Sequence, residues 1–371
     1  MFYLLFFLIV YKSLEKADVY FTKNIKPSNI VTIFKKLNVK LFQNVGLKVH
    51  TGEEGGKYFL TPDFLQDIYN FTDKYNGTFI ESNAVYDGSR NTTNNHEKIL
   101  ETHKWKENGR RAVILDEDSN KDFIINISPK NYNCKFIKEN KVGGNLKDYN
   151  TSIVLTHFKG NHLAGFGGAL KHLAIGFASQ EGKAPIYTAG KTTDWHNIKN
   201  NLANPEDFTT AMAEAASSIF FYYSGKKDKT LAFINVLANI SLDCDCMGNL
   251  APEPKIKDIG ILASIDPVAI DQACYDLIKK SRDNGTDELL SQIEDRYGTN
   301  IIDVANKIGI GTKEYNFIDI DEEKKTILGF ILFLSIIFIC TLSAGILAFY
   351  LGRKSKPSKE KNISLVEKND E

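Results

Sequence analysis

The residues best suited to chemistry gather in one stretch, HFKGNHLAGFGGALKHLAIGFAS (157–179), which holds three of the chain's seven histidines, two lysines and five glycines. His157 and Lys159 sit at the end of the apolar run TSIVLTHF, and His162 follows in the segment before the glycines. Histidine titrates near neutrality, so it can act as general base, proton donor or metal ligand. Gly165, Gly167 and Gly168 would let backbone N–H groups approach a bound group closely. Lys159 and Lys171, near a helix start, suit a carboxylate or phosphate. The spacing is neither a P-loop, which needs a GK[ST] ending, nor a GxGxxG fingerprint. The competing reading is a surface loop whose glycines serve only to pack a helix on a sheet.

Two further clusters qualify. Glu81, Asn83, Asp87 and Arg90 follow the strand-like run GTFI and precede His96. A carboxylate and a guanidinium in one loop can orient a base or hold a substrate carboxylate; a solvated loop with an internal salt bridge is the alternative. Asp243-Cys244-Asp245-Cys246 places two thiols and two carboxylates in four residues, a donor set for a soft or borderline metal if other ligands converge. A disulfide between cysteines so close in sequence would be strained, and reduced or separately bridged cysteines in a turn are the other reading. The chain contains no CxxC pair, so neither a zinc ribbon nor a ferredoxin-type motif is present.

Strand-like and helical patterns alternate between residues 18 and 320 and would carry these residues. ADVYFTK, NVGLKVHT, GTFIESNAVY, RAVILDED, DFIINIS, TSIVLTHF, TLAFINVLANIS, IGILAS and YNFIDI read as strands. Helices are expected at NIVTIFKKL after Ser28, at FLQDIYNFTDKY after Thr61-Pro62-Asp63, over 93–106, at ALKHLAIGF and over 206–223. Further helices follow Asp266-Pro267 and cover DELLSQIEDRYG and IIDVANKIG. The alternation predicts an α/β fold with a largely parallel sheet and helices on both faces, its functional loops at the carboxyl ends of the strands.

The two ends differ from the middle. Residues 326–351 carry no charge, and at ~1.5 Å per residue they would span roughly 39 Å as a helix, enough for one C-terminal transmembrane helix. Arg353, Lys354, Lys356, Lys359 and Lys361 follow, which puts the tail, 352–371, in the cytosol. The opening apolar run of about ten residues reads as a signal peptide, 1–17. The expected layout is a single-pass type I membrane protein with a luminal or extracellular domain, 18–320, and a short linker, 321–325. Sequons at Asn70, Asn76, Asn126, Asn150 and Asn284 fit a glycoprotein. Lys plus Arg equals Asp plus Glu, 46 each, and no basic stripe marks the folded region, so nucleic acid is discounted as a partner.

Several of these segments together, among them LKVHTGEEG, FIESNAVYDGSRNTT, THFKGNHLAGFGGALKHLAIGFAS, INVLANISLDCDC and IGILASIDPVAIDQACYDLI, resemble successive motifs of the domain-of-unknown-function 362 family, from about Ala17 to Ile320. Its members are often described as uncharacterised iron–sulfur centre proteins. The resemblance implies an α/β fold distantly similar to the catalytic domain of lactate racemase. It places the family's histidine-lysine-glycine signature on His157, Lys159, Gly160, His162, Gly165, Gly167, Gly168 and Lys171, and its strand-end signature on Glu81, Asn83 and Arg90. Its twin cysteines fall on Cys244 and Cys246. Many relatives carry a ferredoxin-like cysteine array there; it is missing here, which speaks against an iron–sulfur cluster and leaves a metal ion as the implied cofactor. Where the family tends to read KG-H this chain has KGNH, and Lys171-His172 stands where KN is usual, a retuned loop.

The expectation is a membrane-anchored enzyme, metal- or redox-associated, with oxidoreductase- or isomerase-like chemistry on a small anionic substrate. His157, His162, Lys171 and Glu81 would be catalytic. Lys159, Arg90, Asn83, Gly165, Gly167 and Gly168 would bind substrate, and Cys244 and Cys246 would hold metal. The alternative is a non-catalytic ectodomain that binds a small anionic ligand or a partner.

Overall fold

The computed structural model describes residues 16–322, 333–335, 337 and 341–345. The expected signal peptide, 1–17, lies almost entirely outside these residues, as does the basic tail, 352–371. Of the expected membrane span, 326–351, only 333–335, 337 and 341–345 are described, and they are helical. Among the described residues no helix is long and apolar enough to cross a membrane. The chain divides into two compact units, Met1–Ile320 and Asp321–Glu371. All candidate site residues lie in the first.

That unit is built on an eight-stranded sheet. Its strands in chain order are β1 (Ala17–Thr22), β2 (Val45–Lys48), β3 (Thr78–Glu81), β4 (Ala112–Ile114), β7 (Thr151–His157), β10 (Thr230–Leu237), β11 (Gly260–Ser264) and β12 (Tyr315–Asp319). Across the sheet they run β12-β1-β11-β10-β7-β2-β3-β4. All neighbours are parallel except β11, which is antiparallel to both β1 and β10. Two hairpin-like pairs stand apart: β5 (Phe123–Asn126) with β6 (Glu139–Val142), and β8 (Lys159–Asn161) with β9 (Gly165–Gly167).

Alternating side chains make two cores. On β7, Ile153 and Leu155 face one side and Val154 the other; on β11, Ile261 and Ala263 oppose Leu262. One face is covered by α1 (Pro27–Lys36) and α2 (Gln66–Asp73) through Ile30, Ile33, Phe34 and Ile68. The other meets α6 (Pro205–Tyr223), α7 (Pro267–Lys280) and α9 (Asn300–Ile308). Because both faces are covered, the central strands read as nearly continuous apolar runs. The remaining helices are α3 (Thr93–Thr102), a helical turn α4 (Ala169–Lys171) that runs on as a π-turn through His172–Gly176, α5 (Gln180–Tyr187) and α8 (Thr286–Asp295).

Local signals hold in most places. Asp266 caps α7, accepting N–H bonds from Val268 and Ala269, with Pro267 in the first turn. Ser28 does not cap α1, which starts one residue earlier at Pro27. Sequence pattern gives no helix over 180–187, since Gly182 and Pro185 interrupt it. In the structure Gly182 lies against β6, where an added Cβ would come within 1.9 Å of the Lys141 carbonyl oxygen.

The chain leaves β2 towards β3 on one side of the sheet and leaves β7 towards β10 on the other. Adjacent strands β2 and β7 therefore flank a switch point, where doubly wound sheets open a crevice at their carboxyl ends. Lys48, Glu81 and His157 are the last residues of β2, β3 and β7.

Candidate functional site

A cavity of about 680 Å³ opens at this edge. Its wall draws on the segments after β2, β3, β7 and β10 and on the helical turn after β9. Glu81, Asn83, Arg90, His157, Lys159, His162, Gly167, Lys171, Cys244 and Cys246, widely spaced in sequence, all line it. Their hydrogen bonds divide them sharply.

One wall is a closed network of buried charges. Glu81 accepts from Lys48 Nζ at 2.6 Å, from the Ser82 N–H at 3.0 Å and from Arg90 Nη1 at 3.4 Å. Arg90 also donates to Glu53 at 3.0 Å and to the Tyr86 hydroxyl at 2.7 Å, and it faces His50 Nε2 at 3.1 Å. Buried ions need this degree of mutual pairing, because desolvation of each costs several kcal/mol. Burial, and then the Arg90 charge, holds His50 well below its ordinary value and so neutral. Burial lowers Lys48 as well, against the pull of Glu81. Gly176 makes room for this lysine, since an added Cβ would lie 2.9 Å from its Nζ. Asn83 is likewise engaged, with His96 Nδ1 at 3.1 Å and the Thr93 hydroxyl at 3.0 Å. Glu81 and Arg90 thus brace each other, and Asn83 ties its loop to α3.

A second group braces the floor. His157 Nδ1 meets Asp245 at 2.9 Å and Nε2 meets the Ala238 carbonyl at 2.8 Å. Both ring nitrogens therefore face acceptors, which fixes the orientation of the ring. Lys159 Nζ donates to the same carboxylate at 2.6 Å. Burial alone would raise the Asp245 carboxyl, but the charges of His157 and Lys159 more than offset it and hold the group well below the carboxylate range. Gly167 lines the cavity, while Gly165 and Gly168 are in close packing. Gly165, with φ at +78°, sits against Gly298 and Ile293, and an added Cβ on Gly168 would fall 2.5 Å from Asp271. Asp271 instead accepts the N–H groups of Ala169 and Leu170 at 2.8 and 2.9 Å, anchoring the turn that presents Lys171 and His172. The segment read as an open glycine loop is the β8–β9 pair with a short connection through His162.

Three cavity groups are left with capacity. Lys171 is half-buried and has no hydrogen-bond or ion-pair partner among the described residues. Burial, and then the neighbouring Lys159 charge, pushes its amine down to about 7, with Asp243 and Asp245 opposing. His172 is buried, neutral because burial holds it well below its ordinary value, and its Nδ1 has no partner among the described residues. His162 is exposed; Asp243 holds its Nδ1 at 3.0 Å and leaves Nε2 open.

The family model described as a domain of unknown function, DUF362, matches residues 45–276, more than half of the chain. The chain belongs to the DUF362 family. The matched region of this DUF362 protein runs from the first residue of β2 into α7 and includes every segment that lines the cavity. No curated protein sequence matches it. In fold it is similar to a Thermotoga maritima protein of known crystal structure, at 12% identity and a TM-score of 0.40, covering 76% of this chain and 58% of that one. It is also similar to the lactate racemase apoprotein from Thermoanaerobacterium thermosaccharolyticum, at 14% identity and a TM-score of 0.38, covering 59% of this chain and 50% of that one. The chain spans about half the length of either structure.

The twin cysteines of this DUF362 chain correct the sequence reading. Cys244 and Cys246, taken there as metal ligands, with a bridge between them expected to be strained, are joined by a disulfide. Cys244 caps the helical turn Asp245–Leu250, and the start of that turn brings the two Cα atoms to 5.1 Å, within disulfide range. A disulfide supplies no thiolate ligands. Among the described residues no group of three or more His, Cys, Asp or Glu is arranged to hold a metal ion. Cys134 and Cys274 are free and buried.

Sequence reasoning missed several contributors. Lys48, His50 and Glu53 lie in the strand-end segment LKVHTGEEGG, whose position could have flagged them. Lys183 on α5 is buried and donates to Ser82 Oγ at 2.7 Å and to the carbonyls of Asn83 and Ala178. Burial pushes it down to about 8. Nothing in a segment broken by glycine and proline signals that lysine.

Proposed function

We propose that this DUF362 chain is an acid–base enzyme that holds a small carboxylate- or phosphate-bearing molecule in the cavity and moves a proton on it. The observation that carries the reading is Lys171, an amine in the cavity wall with no partner of its own among the described residues. Among the described residues, the other lysines and the arginine buried around it are matched. Lys48 and Arg90 pair with Glu81 and Glu53, Lys159 pairs with Asp245, and Lys183 is enclosed by neutral acceptors.

An amine near pKa 7 is divided between its two forms at neutral pH, the condition under which a general base and its conjugate acid are both available. In the neutral form Lys171 accepts a proton from a carbon next to the anionic group. As ammonium it returns the proton or pairs with that group. His162, oriented through Nδ1 by Asp243, is the second exchanger, in the manner of a histidine held by a carboxylate. His157 and Glu81, offered as catalytic on residue type, act in this reading as positioning groups.

The same proposal keeps the chain on a membrane through 326–351, with the α/β unit on the luminal or extracellular side. The uncharged run, the lysines and arginine after it, and a disulfide suited to an oxidising compartment support that layout.

The test uses the full chain in detergent. Calorimetry against small carboxylates and phosphate esters should give binding that Lys171→Met weakens by about tenfold. In heavy water, bound acids should take up deuterium at carbon with a rate inflection near pH 7, lost in Lys171→Met. Binding without exchange would favour the non-catalytic ectodomain, and neither would end the proposal.

A further inference from the structure

The disulfide belongs to the cavity wall, and its two sulfurs are unequal. Cys244 is buried; Cys246 is half-exposed, and both line the cavity. The Cys246 N–H is directed at Cys244 Sγ at 3.2 Å, so a negative charge on that sulfur already has a donor. The carboxylates on either side of Cys244, which would repel such a charge, are occupied. Asp243 accepts from His162 and from the Cys244 N–H at 2.7 Å, and Asp245 accepts from His157 and Lys159. Lys171 lines the same cavity as both sulfurs, and its chain runs over Gly167 alongside that of Lys159, the lysine paired with Asp245 inside the disulfide loop: a Cβ built on Gly167 would lie 3.8 Å from Lys171 Cδ and 3.9 Å from Lys159 Cε.

We propose that Cys244–Cys246 is a thiol–disulfide exchange site for a small thiol that carries a carboxylate. It rests on the anion-holding role of Lys171 given above. The carboxylate of the incoming thiol pairs with Lys171 and its thiolate attacks Cys246 Sγ. The Cys244–Cys246 bond breaks, a mixed disulfide forms at Cys246, and Cys244 leaves as the thiolate that the Cys246 N–H receives. A second thiolate then attacks the mixed disulfide and releases Cys246. In total, two thiols become one small-molecule disulfide, and the protein disulfide gains two electrons and two protons as a pair of thiols. The exposed sulfur is the one attacked and the hydrogen-bonded sulfur is the one that leaves, which fixes the direction of the first step.

The full chain, purified without reductant, would be treated with 3-mercaptopropionate, 2-mercaptoethanol or cysteamine, then trapped with an alkylating agent and mapped by peptide mass. The expected result is a mixed disulfide at Cys246. Expressed per thiolate, the carboxylate thiol should react about tenfold faster than the ammonium thiol, as one neighbouring charge in a partly screened cavity implies. Lys171→Met should abolish that preference and Lys171→Arg should keep it. An adduct at Cys244, or two free thiols in the unreduced protein, overturns the proposal. No exchange in a protein that still binds small carboxylates overturns it while leaving the acid–base reading intact. Exchange at Cys246 without preference for the anionic thiol overturns the anion role of Lys171 that the two share.

Discussion

Replacing Asp245 by Asn tests the assembly of the site most directly, because one carboxylate holds both His157 and Lys159 on the cavity floor. In the native arrangement His157 donates at 2.9 Å and Lys159 at 2.6 Å, with all three side chains buried. Removing one partner of a buried ion pair costs about 3–5 kcal/mol, since the other charge stays desolvated without compensation. The amide oxygen that the substitution introduces still accepts one of the two contacts and recovers about 1 kcal/mol. A loss of about 2–4 kcal/mol at pH 7 is therefore expected for Asp245→Asn.

Urea unfolding of the full chain reads it through the fluorescence of Trp105, which is buried against Phe79 with ring centroids 4.9 Å apart. The pH dependence follows from the direction of the Asp245 shift. Its carboxyl is held below the ordinary value in the folded protein, so its contribution is fully present above the unfolded value and is lost as pH falls through the folded one. The gap between wild type and Asp245→Asn should narrow only below about pH 4. A gap under about 1 kcal/mol at pH 7 would refute the claim that this carboxylate compensates the buried Lys159 charge and holds His157.

Two further outcomes are expected. Competitive acetylation of amines across pH, read by mass spectrometry, should show Lys171 inflecting near 7, against about 10.4 for an ordinary lysine. Lys159→Met should move that inflection upward, and an inflection above 9 in the wild type would remove the basis for Lys171 as a base. Gly168→Ala should destabilise the protein by about 1–3 kcal/mol in urea, because the added methyl falls 2.5 Å from the Asp271 carboxylate; unchanged stability would show that the anchor of the Lys171 turn lies elsewhere.

Much of the frame was legible. Apolar runs of strand length separated by helical patterns define a parallel α/β sheet, and Asp266-Pro267 marks a helix start whatever surrounds it, because a cap is satisfied within the next three residues. Other elements were hidden. The β8–β9 pair lies inside a glycine-rich run with no alternation to reveal it, and α5 contains two residues that disfavour helix. The disulfide could not be read from spacing in sequence, because it depends on the tight turn that starts at Asp245 and brings the two cysteines together.

What the sequence by itself determined was the set of loops in play: the strand ends carrying Glu81 and His157, the glycine-rich segment after them, and the cysteine turn. Only the tertiary structure decided which of those side chains are committed. A charged or titratable residue is free or engaged according to what lies within about 3 Å of it, and those neighbours come from other segments. His157 and Lys159 share Asp245, which lies 88 and 86 positions further along the chain. Glu81 is taken up by Lys48 and Arg90, while Lys171 meets no acceptor at all among the described residues. Residue type supplies the capacity for chemistry, and the folded contacts determine how much of it remains unused.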